Sequence, residues 1–148
     1  MPTFWELYKS TKFVFQQTVS SEIDFAIISA CNPRGQILTS SHNRIRDKAL
    51  QNDIYHLDAI YRSVYGCSPS LDFHEKSWLV GIDKIAAIQL AIKYEQNAIF
   101  WVEQGQLYLV PCLLTTESEV HLGLFKERLI TSSHHCLTEV RAVDLMFA

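Results

Sequence analysis

The segment Phe25–Arg46, FAIISACNPRGQILTSSHNRIR, constrains the fold more than any other part of the chain. Phe25–Ala30 is an uninterrupted apolar run, the pattern of a strand covered on at least one face. Asn32-Pro33-Arg34-Gly35 must break it, because proline removes a donor and glycine admits positive φ. Ser40 or Ser41 can then accept a hydrogen bond from a free N–H of a first helical turn. The helix behind it carries Ile45, Ala49, Leu50 and Ile54 on one side. Such a junction gathers polar side chains where a sheet ends and a helix begins, here Asn32, Ser40, Asn43 and Arg46.

The rest of the chain supplies the partners of this unit. Pro2–Ser10 reads as a short helix, and Lys12–Gln17, Ala59–Tyr65 and Lys76–Ile82 read as strands. Asp83 caps a helix over Lys84–Tyr94 that should bury Ile85, Ile88, Ala91 and Ile92. Ala98–Glu103 and Gln106–Cys112 form a hairpin across Gln104–Gly105, where glycine relieves the cost of positive φ. His121–Phe125 and Glu139–Leu145 have the composition of short strands or irregular packing segments. Helices interspersed among hairpin-joined strands predict an α+β two-layer sandwich: a mostly antiparallel sheet, helices on one face, and a central β-α-β-β-α-β order, the split β-α-β arrangement.

A chain of 148 residues, Met1–Ala148, fits a single domain, with Thr115–Ala148 as a tail packing on it. A net charge of −3 with scattered basic residues argues against nucleic acid as a partner. No apolar run approaches the roughly 20 residues of a membrane span, and the N-terminus lacks the basic-then-apolar pattern of a signal peptide. Cys31, Cys67, Cys112 and Cys136 are widely spaced with no C-x-x-C pair, so free thiols in a reducing cytoplasm are expected.

Three segments together resemble a known family: FAIISACNPRGQILTSSHNRIRDKAL at Phe25–Leu50, HEKSWLVGI at His74–Ile82, and YEQNAIFW at Tyr94–Trp101. The family is the uncharacterised bacterial one called domain of unknown function thirty-two ninety-three. Its pattern is a strand ending in Asn-Pro, a Ser, Asn and Arg entering a helix, a Glu-x-Ser before a strand, and a Gln-Asn-Ala between a helix and a strand. The matching positions are Asn32, Pro33, Ser40 or Ser41, Asn43, Arg46, Glu75, Ser77, Gln96, Asn97 and Ala98. The chain departs from it at Cys31, where a Trp is common, and at Lys76, where a Pro is common. The resemblance covers roughly Phe25–Val110 and implies a fold and a domain extent but no activity.

Asn32, Asn43, Arg46, Glu75, Ser77 and Gln96 are the candidate ligand-binding set. An arginine binds carboxylate or phosphate bidentately. A glutamate serves as general base or as the arginine's partner, and the amides fix a planar ligand. The structural reading of the same residues is an Asx turn at Asn32, backbone satisfaction by Asn43 and Gln96, and an Arg46–Glu75 ion pair. Cys31 with His42 is a candidate nucleophile pair, against which stands a packing role for Cys31. His134, His135 and Cys136 lack the ligand spacing of a zinc site. Walker A and G-x-G-x-x-G are absent, so no metal and no cofactor is called for. Two functions follow from these residues. One is a cytoplasmic protein-interaction domain without established catalysis. The other is a small anionic-metabolite binder or enzyme built around Arg46 and Glu75.

Overall fold

The structure is a computed structural model and describes residues 3–15 and 22–130. Its elements in chain order are α1 (Phe4–Lys9), β1 (Lys12–Phe15), β2 (Phe25–Ile28), α2 (Ser40–Tyr55), β3 (Tyr61–Cys67), β4 (His74–Val80), α3 (Lys84–Lys93), β5 (Ala98–Glu103), β6 (Gln106–Pro111) and β7 (Val120–Leu124), with short 3-10 turns at Pro33–Gly35 and Phe125–Arg128. The strand expected at Glu139–Leu145 lies outside the described residues, as do His134, His135 and Cys136.

The fold is α+β. The seven strands make one sheet in the order β1-β3-β4-β2-β5-β6-β7, antiparallel at every neighbouring pair. The sheet curls. Phe13 of β1 forms a parallel bridge with Leu129, beyond β7, and Ile130 N–H donates to the Phe13 carbonyl at 3.0 Å. The two ends of the sheet are thereby drawn together.

Strand alternation sorts the apolar side chains into two cores. Ala26, Ile28, Trp78, Val80, Ile99 and Trp101 pack with Leu50 and Ile54 of α2 and with Ala87 and Ala91 of α3. The opposite face turns Phe13, Phe25, Ile27, Val64, Leu79 and Leu107 into the curl, where Phe125 closes over them. Phe13 meets Phe100 edge-on with ring centroids 5.0 Å apart, an arrangement that adds to simple burial.

Details of both long helices correct the sequence reading. The cap of α2 is Thr39, not Ser40 or Ser41; its hydroxyl accepts from His42 N–H at 3.3 Å. The buried stripe of α2 is Asn43, Asp47, Leu50 and Ile54, while Ile45 and Ala49 face solvent. Asp47 is buried because it accepts the Trp78 indole N–H at 2.8 Å, so a polar group replaces an apolar one in the stripe at no loss of satisfaction. In α3 the capping by Asp83 is as read, its carboxylate accepting from Ala86 N–H at 2.8 Å. Its buried residues are Ala87 and Ala91, with Ile85 and Ile92 exposed. The small alanines let α3 approach the sheet closely, which a period count weighted by hydrophobicity does not detect.

Candidate functional site

The polar set does not form one cluster, because it is divided between the two faces of the sheet. Lys76, Trp78 and Val80 point to the helices, whereas Glu75, Ser77 and Leu79 point into the curl, as the period of two requires. Arg46, on α2, belongs to the helix side.

Arg46 donates from Nε to the Ala30 carbonyl at 2.6 Å and from Nη2 to the Tyr94 carbonyl at 2.5 Å. It makes no ion pair with Glu75, and the expected Arg46–Glu75 contact is corrected on this point. The end of β2 and the end of α3 each present a free carbonyl, and the guanidinium fork spans both. Gln96 acts alongside it, its Nε2 donating to the carbonyls of Cys31 and Tyr94 at 3.1 and 3.0 Å. Asn32 and Asn43 form a reciprocal clasp. Asn43 Oδ1 accepts from Asn32 N–H at 2.9 Å, and Asn43 Nδ2 donates to Asn32 Oδ1 at 2.8 Å, which also accepts from Leu38 N–H at 3.0 Å. Asn32 sits in the left-handed region at φ 48°, a conformation asparagine tolerates better than most residues. These bonds fasten the loop between β2 and α2 to both helices.

Glu75 and Ser77 open into a cavity of about 340 Å³ between α1 and the inner face of the sheet. Asn32 and Gln96 also line it, and Asn43 and Arg46 do not. Four of the six candidates therefore meet at one concavity. The walls are largely apolar: Phe4 and Leu7 from α1, Phe13 from β1, Ile27 from β2, Phe73 before β4, and Phe100 from β5. Gly66 stands opposite Glu75 in the β3–β4 ladder. The missing side chain leaves the floor open beside the carboxylate.

Glu75 is the one charged side chain in the lining among the described residues, and it makes no hydrogen bond or ion pair with any of them. As a residue it is half-buried, yet its carboxyl end lies deep among neighbouring atoms, and burial there pushes it up to about 7. Its influence reaches the groups around it. Tyr8 is raised first by burial and further by the Glu75 charge, against a bond from Asn97 Nδ2 at 3.3 Å that lowers it. Cys31 is pushed up to about 12, again by burial first and by Glu75 second.

Ser77 is 5% exposed, and its hydroxyl has no partner among the described residues. Both N–H groups of the Gln96 amide are taken by carbonyls, which fixes its orientation and leaves Oε1 without a partner among the described residues. No such atom is sealed from solvent, so the free groups of Glu75, Ser77 and Gln96 are reachable through the cavity.

The Cys31–His42 pair weighed as a candidate nucleophile is not formed. Cys31 Sγ lies 3.7 Å from the Lys76 carbonyl, and His42 Nδ1 is 3.0 Å from its own helix cap, Thr39. The thiol that does meet a histidine is Cys67, whose Sγ is 3.3 Å from His74 Nδ1 across the β3–β4 ladder. Sequence reasoning missed this contact, together with Tyr8 and Asn97. The register of the hairpin was the signal that could have found Cys67 and His74. Cys31, Cys67 and Cys112 are free thiols, and burial pushes Cys112 up to about 11. In the native protein, Cys31 and Cys112 should react far more slowly with a disulfide reagent than the unfolded chain does. Cys31 should hold far less thiolate than an ordinary thiol, because burial raises it. Rapid native labelling of both would contradict their placement.

Among the described residues, no group of histidine, cysteine, aspartate and glutamate has the arrangement to hold a metal ion, and no helix is long and apolar enough to cross a membrane. No curated protein and no solved structure matches the chain. Residues 28–99 match the family described as protein of unknown function (DUF3293), a span holding all six candidate residues, and this is the family that the strand–turn–helix, Glu-x-Ser and Gln-Asn-Ala motifs resemble.

Proposed function

We propose that this protein is a small-molecule-binding domain whose site is the cavity between α1 and the inner face of the sheet, with Glu75, Ser77, Gln96 and Asn32 as its polar contacts. The observation that carries this reading is the pairing of apolar walls with a carboxylate and a hydroxyl that have no partner among the described residues. A volume of about 340 Å³ is in the range of small-ligand sites. Structural polar groups commonly bond to protein neighbours; among the described residues these do not, and they face the cavity instead. Arg46 serves as a positioning residue, because its two carbonyl bonds hold the loop and helix end from which Asn32 and Gln96 reach the cavity. A site whose one charge among the described residues is negative is poorly suited to an anion, so the binding reading moves from anionic metabolites to neutral or cationic molecules.

The same proposal treats the chain as one domain resident in the cytoplasm, supported by the free thiols. It reads β2 to β5 with α2 and α3 as a two-layer split β-α-β core. Support comes from β4 lying between β2 and β3 and running antiparallel to both.

A neutral solvatochromic naphthalene ketone tests the site. Its fluorescence should rise and shift blue on mixing with the protein. Gly66→Val, which places a branched side chain on the cavity floor at a strand position without positive φ, should abolish the response while the protein stays folded by circular dichroism. An unchanged response in the folded variant would count against the cavity as the binding site.

A further inference from the structure

The polar floor of the cavity is rich in acceptors. Ionised Glu75 offers only lone pairs. Gln96 has spent both amide N–H groups on the carbonyls of Cys31 and Tyr94, so the oxygen is what it has left to offer. The Ser77 hydroxyl, on the same strand face two residues from Glu75, can accept as well as donate. Among the described residues, no lysine or arginine lines the cavity to neutralise the carboxylate. A carboxylate buried without a counter-charge is costly, and a ligand that brings a positive donor removes that cost on binding. The apolar walls from Phe4, Phe13, Ile27 and Phe100 fit a hydrocarbon or aromatic body.

We infer that the cavity takes a hydrophobic amine, its ammonium group seated on Glu75 with Ser77 Oγ and Gln96 Oε1 as the flanking acceptors. This rests on the cavity being a binding site and adds the chemical class of its ligand. An ammonium has three donors, one for each of the three acceptors. An isosteric alcohol can bury the same body but leaves the charge of Glu75 uncompensated, and a carboxylate of the same shape adds a second negative charge beside it.

Isothermal titration calorimetry with 2-phenylethylamine, 2-phenylethanol and 3-phenylpropanoate at pH 7.5 separates the possibilities, run beside the naphthalene-ketone assay. The amine should bind at least tenfold more tightly than the alcohol, and the carboxylate least tightly of the three. Glu75→Gln should bring the amine down to the affinity of the alcohol. Equal affinities of amine and alcohol, with the dye still bound in a Gly66-dependent way, would overturn the ligand class while the binding site stands. Tighter binding of the carboxylate would overturn it too. Failure of the dye and of all three compounds would take down the site itself.

Discussion

Glu75→Gln should make the protein more stable at pH 8, by about 2–3 kcal/mol, and leave it nearly unchanged at pH 4.5. The carboxyl has an ordinary value of 4.5 and is pushed up to about 7 by burial. The folded state therefore keeps a proton that the unfolded chain has released, and stability falls as pH rises between those two values. The contribution is fully present below about 4.5, declines through the interval, and is completely lost above 7. The gap is worth about 3 kcal/mol, and the water that reaches Glu75 through the cavity trims it. Glutamine keeps the shape without the charge, so its advantage should appear over the same interval. Urea unfolding at pH 4.5, 6 and 8 measures it. A variant less stable than the parent at pH 8 would mean that Glu75 is paired in the native protein, and the ammonium-binding role would lose its basis.

Arg46→Ala should cost about 3 kcal/mol at neutral pH, since bonds from a charged donor are each worth about 1.5–3 kcal/mol. The loss is structural. The Ala30 and Tyr94 carbonyls lose a donor, and the Asn32–Asn43 clasp and Gln96 must then hold the loop unaided. Arg46→Lys should recover only part of the loss, because an ammonium on a flexible stem cannot present the planar fork that bridges two carbonyls. Denaturant midpoints for the three proteins decide the point. A cost well under 1 kcal/mol would show that the clasp alone fixes this junction. The same substitution should weaken naphthalene-ketone binding less than it weakens the fold, because Arg46 does not touch the cavity.

Legibility from sequence depended on range. The capping of α3 by Asp83, the β5–β6 hairpin and the covered strand β2 were readable because each rests on residues within a few positions of one another. The buried face of α2 was misread for a physical reason. Hydrophobicity favoured Ile45, but Asp47 was made buriable by Trp78, 31 positions away in sequence. Glu75 and Ser77 stand among the sequence candidates and both line the cavity, yet the partner expected for Glu75 was misassigned. Pairing Glu75 with Arg46 treated nearness to element ends as nearness in space, and a strand's alternation put the two on opposite faces of the sheet. The role of Tyr8 was not legible, because nothing local indicates that α1 folds over the inner face and brings its hydroxyl to Asn97.

By itself the sequence determined which segments are strands and helices, where the chain turns, and which polar residues stand at the junctions, since local torsional preference and side-chain period set all of these. The tertiary structure alone decided what those residues do. The curl of the sheet created the cavity, the β3–β4 register put Gly66 opposite Glu75 and Cys67 beside His74, and the reach of Arg46 to two carbonyls withdrew the chain's most conspicuous cation from the site. Each is a long-range geometric outcome of packing, which no local pattern of residues specifies.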